Sequence, residues 1–103
     1  MSGYALHPEA FTDIDDIRER IAEDNADAAD RVVTEVFDGI RGLVAFPYQG
    51  YRRPNLTSLP LRFQLVREYV IAYAPEKKPL WVVAVFHGRR SPRVIAAILR
   101  GRE

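Results

Sequence analysis

The stretch from Leu61 to Arg90, LRFQLVREYVIAYAPEKKPLWVVAVFHGRR, constrains the fold of this chain more than any other. Val70, Ile71 and Tyr73 in one run, and Trp81, Val82, Val83, Val85 and Phe86 in the next, are side chains that suit a pleated, half-buried surface. The connector Ala74-Pro75-Glu76-Lys77-Lys78-Pro79 holds two prolines, each lacking the N–H that a ladder needs. The spacing predicts strands over 61–66, 68–74 and 80–86, the last two forming a hairpin that ends on His87-Gly88-Arg89-Arg90. Trp81 to Phe86 is apolar without alternation, the pattern of a central strand covered on both faces.

The residues upstream read as the cover for one face of that sheet. Tyr4 to His7 suits a short first strand. Pro8 then fits the first position of a helix, with Glu9 in the first turn where the helix dipole favours acids. Phe11, Ile14, Ile17 and Ile21 recur at helical spacing as one apolar stripe, with Asp13, Asp16, Glu19, Arg20, Glu23 and Asp24 largely off it. Asn25 is a candidate cap for a second helix whose stripe is Ala29, Val32 or Val33, Val36, Ile40 and Leu43. Gly39 and Gly42 weaken its end and Pro47 stops it. The short link at 24–26 makes the pair an antiparallel helical hairpin. Residues 46–60 form a loop holding Pro47, Gly50, Pro54 and Pro60, in which Arg52 and Arg53 follow the aromatic Tyr48 and Tyr51; this reads equally as a solvated charge pair or as a stacking surface. Ser91 and Pro92 open a short C-terminal helix over 93–100, with Val94, Ile95, Ile98 and Leu99 apolar. The expected order is β-α-α-β-β-β-α. It describes an α+β fold, a small antiparallel-rich sheet packed on the helical hairpin, in one domain over 1–103.

Composition narrows the class. An apolar share of 48% and a charged share of 28% are those of a globular chain. No run approaches the about 18 apolar residues that a membrane span needs. Met1 to Pro8 lacks a basic segment followed by an apolar one, so no signal peptide is expected. Absent cysteine removes disulfides and a thiol nucleophile, and fits a cytoplasmic address. The net charge of +1 hides a division: residues 1–45 carry 11 acids against 4 bases, a net of −7, and residues 46–103 carry 11 bases against 3 acids, a net of +8. Such a split points to an acidic or nucleic-acid partner, or simply to an acidic helix pair beside a basic sheet.

No phosphate-binding glycine loop, nucleophile elbow or zinc-helix motif is present, and with only His7 and His87 neither a metal nor a cofactor is expected. What remains is a basic set: Arg62, Arg67, Tyr73, His87, Arg89, Arg90 and Arg93, with Arg100 in the last helix. Arginine forks grip phosphates, and a histidine can donate or accept a proton near neutral pH. Brought together, Arg62, His87 and Arg89 would be equipped to cut RNA through its own 2′-hydroxyl. Dispersed, the same residues would only bind an acidic partner, and a histidine after an apolar strand is more often a structural hydrogen-bonder.

Several pieces in their order resemble the RelE/ParE superfamily of toxins from bacterial type II toxin–antitoxin systems. They are His7-Pro8-Glu9-Ala10, Asp13-Ile14-Asp15-Asp16-Ile17, Ala28-Ala29-Asp30-Arg31, Leu43 to Pro47 with Gly50, Leu61-Arg62-Phe63, Tyr69 to Tyr73, and Val85-Phe86-His87-Gly88-Arg89-Arg90. The resemblance implies a cognate antitoxin whose flexible segment wraps the toxin in a hetero-oligomer. It leaves two targets. ParE-like members poison DNA gyrase; RelE-like members cut mRNA on the ribosome. Arg62 matches an arginine recurrent in both branches, His87-Gly88-Arg89-Arg90 looks like a ParE-type ending, and only Lys77 and Lys78 supply lysine. The resemblance therefore implies a plasmid-stabilisation type toxin acting on gyrase without catalysis, with Arg62, Tyr73, His87, Arg89, Arg90, Arg93 and Arg100 as target-binding residues. The alternatives are a metal-independent endoribonuclease using Arg62, His87 and Arg89, and a non-toxic relic that still binds antitoxin.

Overall fold

A computed structural model of the chain describes residues 3–102; Met1 and Ser2, part of the segment read as lacking a signal peptide, lie outside them. Seven elements follow in the expected order: β1 (Tyr4–Leu6), α1 (Pro8–Ala22), α2 (Ala26–Ala45), β2 (Arg62–Val66), β3 (Tyr69–Ala74), β4 (Leu80–His87) and α3 (Pro92–Arg100). The sheet order is β1-β4-β3-β2. β2, β3 and β4 form an antiparallel meander, and β1 joins the free side of β4 in parallel, with Tyr4 opposite Leu80 and Leu6 opposite Val82.

Strand alternation sends the two faces of the sheet into two cores. Tyr69, Ile71, Tyr73, Val82 and Val85 meet Ile14 and Ile17 of α1 and Val36 and Ile40 of α2. Val70, Ala72, Val83 and Phe86 face the other way, toward Ile95 and Leu99 of α3 and Leu56 and Leu61 of the long loop. The second cover, α3 and the loop, is what makes β3 and β4 apolar on both faces. Ala72 pairs with Ala84 while Tyr73 pairs with Val82. Val83 is therefore an extra residue, a bulge that shifts the alternation of β4 by one from there to its end.

Local signals account for the helix ends. His7 caps α1, its Nδ1 accepting the N–H of Glu9 at 3.0 Å, and Asn25 caps α2 through the N–H of Ala28 at 3.0 Å. Gly39 lies inside α2, which runs on to Ala45, and the close approach of β2 favours glycine there, since a Cβ would come within 2.7 Å of Val66 Cγ2. The α1 stripe differs from the expected one at its start: Ile14 and Ile17 are buried as expected, but Phe11 is 56% exposed and Ala10 is buried in its place. The rotation that buries Ala10 also turns Asp13, expected on the wet side, toward β4 (see below).

Candidate functional site

The basic residues singled out from the sequence do not converge. Arg62 lies opposite Tyr73, and His87 lies opposite Tyr69. These positions are about 13 Å apart along β3, and the two strands flanking β3 lie about 10 Å apart across the sheet. Arg62 and Tyr73 thus mark one end of the sheet, and His87, Arg89 and Arg90 follow the other.

At the first end both candidates are turned inward. Tyr73 is wholly buried. Its hydroxyl donates to the Pro47 carbonyl at 2.7 Å and accepts the Gly50 N–H at 3.0 Å. Burial is the main influence on its phenol and pushes its pKa up, against the opposing hydrogen bond from Gly50. Gly50 has no room for a side chain, since a Cβ would stand 2.5 Å from that hydroxyl. Arg62 Nη1 donates to the Gly50 carbonyl at 2.8 Å, and its guanidinium lies 5.3 Å from the centre of the Tyr48 ring. Tyr51 bridges to Phe63 by two backbone hydrogen bonds. Together these contacts fasten residues 46–51 to the edge of the sheet.

At the other end His87 stacks edge-on against Tyr69 at 5.4 Å, and its Nδ1 accepts the N–H of Arg89 at 3.0 Å. With Nδ1 accepting, the neutral ring carries its proton on Nε2. This repeats the role of His7: each histidine captures the N–H two residues on and closes a turn. The turn continues with Gly88 N–H to the Glu68 carbonyl at 2.8 Å and Arg90 N–H to the His87 carbonyl at 3.1 Å. Ser91 then caps α3 through the Val94 N–H. Arg89, Arg90, Arg93 and Arg100 are all exposed, and among the described residues none has a carboxylate within ion-pair distance. Arg89, Arg90 and Arg93 cluster at the start of α3; Arg100 is about 10 Å further along the helix. Arg67, at the tip of the β2–β3 turn with φ +54°, is gripped bidentately by Glu35 of α2 at 2.8 and 2.7 Å. That hydrogen bond holds the Glu35 carboxyl below its usual range.

A family model for the ParE toxin of type II toxin–antitoxin systems, parDE, matches residues 4–92. The chain belongs to the ParE toxin family. No curated protein matches it. For a ParE toxin the matched span covers β1 to the start of α3, and membership implies a cognate antitoxin partner. Among the described residues no helix is long and apolar enough to cross a membrane.

Sequence reasoning missed the least exposed of the four ion pairs among the described residues, Asp13 and Arg102. Their carboxylate and guanidinium meet in a fork at 2.5 and 3.0 Å. The signal was present: Asp13 stands three residues after Ala10 and four before Ile17, flanking the buried stripe. Arg102, after the last helix, carried no periodic cue.

Proposed function

We propose that this ParE toxin acts by contact with DNA gyrase, in the cytoplasm, and is neutralised by its antitoxin. Arg89, Arg90 and Arg93 with the outer side of α3 carry the target contact. The observation that supports this reading is the separation of the basic residues. Arg62 and His87 occupy opposite ends of the sheet, and each commits one side-chain nitrogen to the backbone, Arg62 Nη1 to the Gly50 carbonyl and His87 Nδ1 to the Arg89 N–H. An endoribonuclease would need Arg62, His87 and Arg89 around a single phosphate, which this register does not favour. The exposed arginines after β4 are free to meet an acidic surface, and Val94, 46% exposed beside Arg93, adds an apolar contact.

A supercoiling assay with purified gyrase and the full chain tests it, run beside a cleavage assay on translating ribosomes. Loss of supercoiling with trapped, cleaved DNA is the expected result. Cut mRNA with unaffected gyrase would replace this reading with ribosome-dependent cleavage. Inactivity in both would leave an antitoxin-binding protein without toxicity. His87→Asn sharpens the comparison, because an asparagine oxygen can still accept the N–H two residues on while proton transfer is lost. A nuclease relying on His87 would slow by about 10²-fold or more. The gyrase inhibitor keeps its potency.

A further inference from the structure

The Asp13–Arg102 pair lies where the sheet is least finished. β1 is only three residues long, and its pairing with β4 ends where the His7 N–H reaches the Val82 carbonyl at 2.8 Å. Beyond that point the Val83 bulge turns one carbonyl and one N–H of β4 toward α1 with no strand to meet them. The side chains take the strand's place. Arg102 Nη1 donates to the Val83 carbonyl at 3.1 Å, and Asp13 Oδ2 accepts the Val85 N–H at 3.0 Å. The two then close on each other through the guanidinium–carboxylate fork. Their side chains are 9% and 19% exposed, against roughly half for each partner of the other ion pairs. Asp13 hydrogen-bonding raises the Arg102 pKa and burial works against it, so the guanidinium stays charged in this position.

The pair also ties three elements together. Asp13 belongs to α1, Val83 and Val85 to β4, and Arg102 stands two residues past the end of α3. α3 is nine residues long, too short to be stable by itself. Its buried anchors are Ile95 and Leu99, one turn apart on a single line along the helix. Ile98 packs partly buried beside them, so the helix is held along one narrow apolar seam that resists rolling weakly. A polar attachment away from that seam and across to α1 fixes the roll and with it the direction in which Arg93, Val94 and Arg100 point.

We propose that Asp13 and Arg102 are positioning residues, a clip that closes the open edge of β4 and sets the pose of α3. The gyrase consequence rests on the reading above that α3 carries the target contact. Neither residue faces the target. Breaking the clip loosens α3 while the meander of β2, β3 and β4 stays intact.

Hydrogen exchange of the full-length chain, followed by mass spectrometry, tests the clip without any target. Asp13→Asn and Arg102→Ala each speed exchange over residues 92–102 by about tenfold or more while β3 is unchanged, the mark of local rather than global opening. Millimolar guanidinium ion restores protection to R102A, whose missing group it replaces, and does nothing for D13N. Arg102→Lys keeps the charge but not the fork, tolerates folding better, and exchanges at an intermediate rate. Unchanged exchange of α3 in D13N and R102A overturns the clip, as does a parallel rise over β3. In the supercoiling assay the same two variants need about tenfold more protein for equal inhibition. An inert wild-type chain there sinks the gyrase reading and leaves the exchange result to decide the clip.

Discussion

Tyr73 shows what a residue with one polar atom can organise. The ring fills the core between sheet and helices, and the hydroxyl joins the Pro47 carbonyl to the Gly50 N–H, so a loop 26 residues earlier is held by one oxygen. Tyr73→Phe keeps the ring and orphans two backbone groups. It should cost about 1–3 kcal/mol in urea unfolding and make residues 46–51 easier to cut with protease. The same burial has a pH signature. The Tyr69 and Tyr73 phenols are raised above the ordinary value of 10.0, in both cases chiefly by burial. Above that value the unfolded chain loses these protons while the folded chain keeps them, so the unfolded state binds fewer. Stability is therefore full below 10 and falls as the pH rises through the folded values. Urea midpoints measured from neutral to alkaline pH should decline, and decline less steeply in Y73F.

Among the elements, α3 and the β2–β3 turn differ in what holds them. α3 depends on Ile95 and Leu99, and replacing either with alanine should cost about 2–5 kcal/mol by chemical denaturation. Val94→Ala, on the outer side, should change stability by no more than about 0.5 kcal/mol while weakening inhibition of gyrase. The β2–β3 turn is fastened to α2 by Glu35 and Arg67, both substantially exposed. The Glu35 carboxyl is depressed below 4.5 by its hydrogen bond to Arg67. Its contribution is therefore present above that value and lost as the pH falls through the depressed one. Glu35→Gln should unfold more easily than the wild type at neutral pH and converge with it in acid. A constant difference at all pH values would show that the carboxylate charge is not what fastens the turn.

The whole molecule carries its charge unevenly, −7 before residue 46 and +8 after it. The acidic half is the helical hairpin, while the basic half holds β2 to β4 and α3. An acidic partner is therefore drawn to one side, and its association should slow as salt is raised. The double variant R89E/R90E should keep the wild-type melting temperature, since among the described residues neither side chain has an ion-pair partner. It should lose about tenfold or more in inhibition if those arginines meet the target. Retained potency would move the contact away from the β4–α3 turn.

Much of the architecture was legible because local signals agreed with one another. Proline and cap residues marked the starts of α1, α2 and α3, and their stripes predicted the buried faces within a residue or two. The unalternating run from Trp81 to Phe86 announced a central strand. Phe11 misled because periodicity fixes spacing but not rotation, and the sheet selected Ala10 for the close contact. The proposed basic constellation fared differently. That Arg62 and His87 carried polar work was readable from composition, but their separation depends on strand register, which only pairing across β3 sets. Asp13 and Arg102 make the same point across 89 residues. A charge beside an apolar stripe hints at a buried partner without naming it. By itself the sequence determined the elements, their order and the family. The tertiary structure alone decided which charges meet, because that depends on register, a one-residue bulge and the point where β1 stops.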